Sequence, residues 1–163
     1  MRFKALSLLA AVSLLAACST APENSGAAGG TGATAPTGGA TTGVRPGSQQ
    51  DLAATAGDRV YFGYDKSDIS PEARAILTKQ ADWLKRNANV TVTVEGHCDE
   101  RGTREYNLAL GERRATAVKN VLVALGIPAN RVSTISYGKE RPAVVGSTEA
   151  AWAQNRRGVT TVN

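Results

Sequence analysis

The stretch that decides the fold is residues 90–125, VTVTVEGHCDERGTREYNLALGERRATAVKNVLVAL. Its first five residues alternate valine with threonine, which is the pattern of a strand that buries one face. From 106 to 125, apolar residues recur at helical spacing, and Gly126 followed by Pro128 is typical of a helix end. The stretch therefore predicts a buried strand, a loop and a helix.

The flanking segments continue this alternation of strands and helices. Ser70 is a good helix N-cap and Pro71 suits the first helical position, so a helix is predicted to begin there. Further strands are predicted at 59–64, 132–137 and 158–162, with a short helix at 149–155. The order β-α-β-α-β-(α)-β predicts an α/β (α+β) sandwich in which helices cover one mixed sheet.

Residues 1–17 have the features of a secretion signal. Two basic residues precede the uncharged run 5–17, which is too short to span a bilayer as a helix. The signal leads into LAAC at 15–18, which resembles the bacterial lipobox. That resemblance implies cleavage after residue 17 and lipid on the sulfur of Cys18, and Ser19 favours the outer membrane. An ordinary secretion signal with an incidental cysteine is the alternative.

Residues 18–57 have the composition of a tether. Gly, Ala, Thr, Ser and Pro make up 31 of the 39 residues after Cys18, and Val44 and Leu52 are the only large apolar side chains. Such a segment cannot bury enough surface to offset the entropy of ordering it, so we expect it to be disordered. The structured domain is then expected at 58–163.

Composition and charge exclude several classes of function. With 42% hydrophobic and 20% charged residues, the chain is neither wholly disordered nor fibrous. The formal charge is +5, but no basic run interleaves with aromatic residues, so no binding to nucleic acid is expected. One His and two Cys do not supply the four ligands of a structural zinc site, and neither a metal nor a cofactor is expected.

An inward-facing charge marks the candidate site. Arg114 lies in the middle of the apolar stripe of the predicted helix, where an unpaired charge is costly. One interpretation is structural: the arginine holds a loop carboxylate such as Asp99 or Glu100. The other places Asp99 and Arg114 at one end of the sheet, where they would take an ammonium and a carboxylate respectively. Such a pair matches a zwitterion and predicts an amino-acid centre as ligand.

Five short motifs in 58–163 point to a known family. They are EGHCDERG at 95–102, YN at 106–107, LGERRA at 110–115, SYGKERP at 136–142 and NRR at 155–157. Together they resemble the OmpA-like peptidoglycan-binding domain, and the resemblance covers essentially all of this region. With the lipobox and VYFGYD at 60–65, the chain is similar to the lipoprotein members of that family.

The resemblance implies non-covalent binding of uncrosslinked peptidoglycan stems through meso-diaminopimelate. Asp99 would take the ammonium of the ligand, and Arg114 would clamp the carboxylate of the same centre. Of the other matching positions, Tyr64 and Asp65 would line the pocket, and Leu110 would form an apolar wall. Arg101 and Asn107 would make polar contacts or brace the loop.

Some of these positions have a structural alternative. Asn107 is also placed to cap the second helix. Arg156 and Arg157 are expected to pair across the end of the sheet rather than to contact a ligand. Removing Asp99 or Arg114 is expected to weaken binding to the wall and to leave the fold intact.

The resemblance also implies a location and partners. Acyl chains would hold the protein in the outer membrane, with the head domain in the periplasm gripping the cell wall. Relatives of this type also bind TolB through a surface that overlaps the peptidoglycan pocket. TolB and the other Tol proteins are therefore expected partners, in envelope integrity and in constriction of the outer membrane during cell division.

Three other classes of protein compete with this interpretation. A hydrolase would use His97 and Cys98, but adjacent strand residues point to opposite faces, so no enzymatic activity is expected and Cys98 is predicted to be a small buried side chain. A flagellar-stator protein with the same head would need an N-terminal transmembrane helix in place of the lipobox. A lipoprotein that binds only other proteins is the third class.

Overall fold

The computed structural model describes residues 43–163. The predicted signal peptide, the predicted lipidation site at Cys18 and the tether up to residue 42 lie outside the described residues. The folded region already includes residues that the sequence assigned to the tether, and it begins well before position 58.

In the described part of the chain, four strands form one mixed sheet. They are β1 (Arg59–Tyr61), β2 (Val92–His97), β3 (Val132–Gly138) and β4 (Arg157–Val162). Their order across the sheet is β1-β4-β2-β3, with β2 and β3 parallel and β4 antiparallel to both of its neighbours. The mixed sheet predicted from the order of elements is confirmed.

Within residues 43–163, four helices and one short turn of 3-10 helix accompany the sheet. They are α1 (Gln49–Thr55), α2 (Pro71–Arg86), α3 (Arg104–Ala124), the turn at Ala129–Arg131 and α4 (Glu149–Asn155). α2 begins as predicted, since the Ser70 hydroxyl accepts a hydrogen bond from the amide of Ala73. Thr103 caps α3 in the same way, and Gly126 has a φ of 95° just beyond its end.

The core lies between the sheet and the two long helices. Val92 and Val94 of β2 are fully buried, as the alternation predicts. They share one apolar cluster with Leu77 and Leu84 of α2 and Leu122 of α3. One face of the sheet is thus covered by α2 and α3, which confirms the predicted α+β fold class.

α3 crosses β2 at a pair of glycines. A Cβ atom on Gly96 would clash with the carbonyl of Gly111, and a Cβ on Gly111 would clash with the hydroxyl of Ser136. Only glycine allows the two backbones to approach so closely. The crossing brings the first half of α3, which carries Leu110 and Arg114, over the end of β2.

The prediction of disorder is wrong for residues 43–57. Leu52 of α1 is completely buried and belongs to the main apolar cluster. Asp51 accepts a hydrogen bond from Nε1 of Trp83 at 3.0 Å. The segment is ordered because the domain supplies a buried site for one leucine, and that site is not visible in the local composition.

Several strand ends differ from the prediction. The strand expected at 59–64 ends at Tyr61, because the chain turns there into the loop that lines the site. The strand expected at 90–94 begins at Val92 and continues to His97. In β4, a Cβ on Gly158 would lie 3.2 Å from a methyl of Val118, so a glycine suits the packing there.

We predict that Leu52→Ala lowers the free energy of unfolding by about 2–5 kcal/mol, because it empties a fully buried site. Denaturation by urea, followed by circular dichroism, measures this change. Val44→Ala is the control, since Val44 is exposed and its truncation should change stability by no more than about 0.5 kcal/mol. Equal, small effects would mean that 43–57 does not stabilise the domain.

Candidate functional site

A cavity of about 250 Å³ opens where β2 ends, beside the loop 62–70 and the start of α3. Its lining includes all seven residues that the sequence predicted for the ligand: Tyr64, Asp65, Asp99, Arg101, Asn107, Leu110 and Arg114. Cys98, Gly102 and Tyr106 complete it. The structure brings the predicted residues together, and their part in ligand binding stays a prediction.

The loop 62–70 forms one wall of the cavity. Tyr64 is 61% exposed. Asp65 has a left-handed backbone conformation with a φ of 56°, which aspartate adopts more readily than most residues. Its carboxylate accepts a hydrogen bond from the hydroxyl of Tyr106, and this bond raises the pKa of Tyr106. The bond ties the loop to α3 and leaves Asp65 as an exposed carboxylate beside the cavity.

Asp99 is the buried carboxylate of the site, with only 5% of its surface exposed. It accepts hydrogen bonds from the backbone N, Nε and Nη2 of Arg101 at 3.1, 3.2 and 2.6 Å. A fourth comes from Nη1 of Arg156 at 3.4 Å. Burial acts to raise the pKa of Asp99, but the hydrogen bonds and charge of Arg101, with Arg156, outweigh it and keep the pKa below its usual value.

Arg114 has no exposed surface, and its guanidinium is held by three backbone carbonyls. Nε donates to Lys66 at 2.8 Å, Nη1 to His97 at 2.8 Å and Nη2 to Gly63 at 3.0 Å. Three of its five N–H groups are used in this way, which leaves two. Burial lowers the pKa of Arg114, although an arginine side chain keeps its proton in proteins.

The structural interpretation of Arg114 is therefore wrong. It does not hold Asp99 or Glu100, since its hydrogen-bond partners are carbonyl oxygens. The effect of Arg114→Ala stays a prediction, but we now expect it to disturb the fold as well as binding, because three carbonyls would lose their donors in a buried place. The helical spacing correctly predicted that this charge faces inward. No local pattern in the sequence indicates that its partners are backbone carbonyls.

Asn107 and Leu110 complete the wall on α3. The amide of Asn107 donates to the carbonyls of Arg101 and Thr103 at 2.8 and 3.0 Å, so it braces the loop. It is not the cap of α3, because Thr103 has that place. Leu110 is 5% exposed and supplies the apolar lining.

An aromatic sandwich was missed by the sequence reasoning. The guanidinium of Arg101 lies 4.0 Å from the ring centre of Tyr64 and 4.0 Å from that of Trp152. Nε1 of Trp152 donates to Glu100 at 3.0 Å. The only signal that could have found Trp152 is its place in the short helix that precedes the NRR motif.

The arginines of the NRR motif act as structural braces, as expected. Arg156 donates to the carbonyl of Phe62 at 3.1 Å and to Glu149 at 2.8 Å, as well as to Asp99. Arg157 donates to the carbonyls of Asn155 and Arg141. The hydrogen bonds of Arg156 join α4 to the segment just after the end of β2.

His97 and Cys98 do not form a catalytic pair. Nε2 of His97 lies 3.3 Å from Glu95, and the His97 ring packs beside that of Tyr137. The Cys98 thiol instead donates to the carbonyl of Asn107 at 3.3 Å. Cys98 is 2% exposed, as predicted, and burial raises the pKa of its thiol.

Comparison with known proteins identifies the family. The OmpA family matches residues 61–156. The peptidoglycan-associated lipoprotein of Brucella melitensis is 53% identical over 118 residues, which cover 72% of this chain and 70% of that relative. The chain belongs to the OmpA family, in the group of the peptidoglycan-associated lipoproteins. The corresponding protein of Rhizobium meliloti is 55% identical over 71% of this chain and 65% of its own length.

Solved structures agree with this assignment. The crystal structure of the peptidoglycan-associated lipoprotein from Burkholderia pseudomallei matches with a TM-score of 0.63 and 40% identity, over 65% of this chain and 90% of that one. The C-terminal domain of Helicobacter pylori MotB matches with a TM-score of 0.61 over 65% of this chain and 84% of that one, but at 21% identity it shows the fold alone.

The family bears on two of the three competing classes of protein. Its named relatives are lipoproteins rather than enzymes, so the hydrolase alternative is not supported. The likeness to a stator protein extends to the fold only. Within residues 43–163, no helix is long and apolar enough to cross a membrane.

We predict that His97 makes the domain sensitive to mild acid. Burial, together with the positive charges of Arg157 and Arg141, lowers the pKa of His97 to about 4, although Nε2 lies 3.3 Å from Glu95. Between pH 6.5 and about 4 the unfolded chain takes up a proton that the folded chain does not, so stability falls as the pH falls through this window. The total loss is about 3 kcal/mol.

Urea unfolding at pH 7 and pH 4.5 measures this sensitivity. His97→Gln should remove roughly 2 kcal/mol of the difference between the two pH values, since His97 is the only histidine of the chain. An unchanged difference in the variant would show that His97 does not titrate in this way.

Proposed function

We propose that this protein binds peptidoglycan non-covalently through the meso-diaminopimelate of uncrosslinked stems. The observation that carries the proposal is the cavity at the end of β2 that is lined by both carboxylates and guanidinium groups. At about 250 Å³ the cavity suits the end of an amino-acid side chain rather than a whole stem. The names of the relatives at more than 50% identity support peptidoglycan as the source of that side chain.

The distal centre of meso-diaminopimelate is a zwitterion. Its ammonium would bind Asp99, and its carboxylate would bind the N–H groups of Arg114 that the carbonyls leave over. Leu110 would contact the methylene chain, while Tyr64 and Asp65 would flank the ligand. Lysine at the same stem position lacks the distal carboxylate, so the site would discriminate against it.

The same proposal makes the protein an anchor between two layers of the cell envelope. Lipid on Cys18 would hold it in the outer membrane, and the head domain would hold the wall. About 25 residues, 18–42, separate Cys18 from the first described residue, and fully extended they reach at most roughly 80–90 Å. That reach lets the head domain meet the wall at a distance from the membrane.

The proposal also includes the Tol proteins as binding partners. TolB would compete with peptidoglycan for the surface around the cavity, and the protein would serve the Tol–Pal system in envelope integrity and in constriction of the outer membrane at division. These partners rest on the resemblance to the family. A competition experiment between TolB and muropeptide tests them.

We predict that Asp99→Asn weakens binding of a muropeptide that carries meso-diaminopimelate by about ten- to a hundredfold, the usual effect of losing one charge-assisted contact. Isothermal titration of the full chain measures this loss. The matching muropeptide with lysine at the same position should bind much more weakly to the unaltered protein.

The control for Asp99→Asn is Asp68→Asn. Asp68 is exposed on the loop 62–70 and does not line the cavity, so its replacement should not change the affinity. Normal binding by Asp99→Asn would refute the proposed clamp. Equal binding of the two muropeptides would refute meso-diaminopimelate as the recognised group.

We predict that Cys18→Ser moves the protein from the membrane fraction to the soluble periplasmic fraction, because it removes the sulfur that would carry the lipid. Cell fractionation with immunoblotting measures the distribution. Cys98→Ser is the matched control: Cys98 is buried in the head, and a hydroxyl can make the same bond to Asn107. If Cys18→Ser stayed with the membrane, the anchor would have to lie elsewhere.

A further inference from the structure

Asp99 has no acceptor site left for a ligand. A carboxylate offers about four lone-pair positions. Oδ1 accepts from the backbone N and from Nε of Arg101, and Oδ2 accepts from Nη2 of Arg101 and Nη1 of Arg156. An ammonium that is to bind Asp99 must therefore replace one of these arginine groups.

Arg101 is the arginine that can leave. The side chain of Arg156 is 9% exposed and also donates to the carbonyl of Phe62 and to Glu149. With Asp99, it therefore has hydrogen-bond partners in three separate parts of the chain. The side chain of Arg101 is 29% exposed, and Asp99 accepts both of its side-chain hydrogen bonds. Its other ion-pair partner is the exposed carboxylate of Glu149, at the longer distance of 3.9 Å. If it turned away, its backbone N–H could still donate to Asp99.

Two aromatic rings hold Arg101 in its present place. Tyr64 comes from the loop 62–70 and Trp152 from α4, and each ring centre lies 4.0 Å from the guanidinium. Such cation–π contacts stabilise the guanidinium in its place close to both rings. The Trp152 ring is itself oriented by the hydrogen bond from Nε1 to Glu100.

We propose that Arg101 is a gate that covers Asp99 until a ligand ammonium replaces it, and that Trp152 is the positioning residue that keeps the gate closed. The proposal rests on the proposed function, because it needs an ammonium-bearing ligand in this cavity. The exchange replaces one cation on Asp99 by another, so the buried carboxylate never loses its counter-charge. An acylated, neutral amine offers no such replacement and would leave the gate closed.

A mutation that weakens the closed form distinguishes a gate from an ordinary contact by the direction in which it changes the ligand affinity. A ligand that binds only the open form has an affinity reduced by the fraction of molecules that are open. Weakening the closed form therefore tightens binding. Loss of a ligand contact, or loss of local structure, would weaken it.

The experiment is isothermal titration of the full chain with a disaccharide-tripeptide that ends in meso-diaminopimelate. Trp152→Ala removes one ring from Arg101 and should bind about fivefold more tightly than the unaltered protein. Trp152→Phe keeps a ring face and should bind within about twofold of the unaltered protein, even though it loses the hydrogen bond to Glu100. The N-acetylated form of the same peptide should not bind any of the three proteins.

A second measurement needs no variant. The two indole N–H signals in an NMR spectrum belong to Trp83 and Trp152. Saturating peptide should shift the Trp152 signal, because Arg101 leaves its ring, and should leave the signal of the buried Trp83 in place.

The outcomes separate the gate from the function on which it rests. Weaker or unchanged binding by Trp152→Ala, or an unshifted Trp152 signal at saturation, overturns the gate while the proposed function stands. If the unaltered protein binds neither the meso-diaminopimelate peptide nor its lysine counterpart, the proposed function fails and the gate fails with it.

Discussion

The buried guanidinium of Arg114 is the interaction on which the site depends. It donates to carbonyls of the loop 62–70 and to the carbonyl at the end of β2, so three distant segments of chain meet on one side chain. A buried charge is tolerated only when it is well paired, and here the partners are the carbonyl ends of peptide dipoles. Without this arginine the loop that carries Tyr64 and Asp65 would lose two of the hydrogen bonds that hold it against the end of the sheet, those at Gly63 and Lys66.

The geometry of the crossing helix and the charges of the cavity are linked. Gly96 and Gly111 let α3 lie close enough to β2 for Arg114 to reach those carbonyls. At the same end of the sheet, Asp99 is neutralised by Arg101 and Arg156. In the proposed recognition of a zwitterion, Asp99 would exchange the cation of Arg101 for the ligand ammonium, whereas Arg114 would use the N–H groups that its carbonyl partners leave over. Such exchange favours charged ligands over neutral ones of the same shape, because a neutral group would leave a buried charge unpaired.

The chain enters the domain at the end opposite the cavity. The described chain starts at Gly43, and Gly47 packs against Asn87 and Val90, which lie just before β2. The cavity lies beyond His97, where β2 ends, and six residues of strand separate the two places by roughly 20 Å. The described chain thus begins at the end of β2 opposite the cavity, which is compatible with the proposed role as an anchor.

The sequence by itself determined the order of strands and helices from β1 onward, the caps at Ser70 and Gly126, the burial of one face of β2 and the inward charge at Arg114. All of these follow from local spacing along the chain. The family motifs also placed seven residues that the structure gathers in one cavity. Only the tertiary structure decided that Leu52 orders the segment 43–57, that Arg114 binds carbonyls rather than Asp99, and that Trp152 covers Arg101. Each of these depends on atoms far apart in the chain, and neither composition nor periodicity carries information about which distant backbone group or ring a side chain will meet.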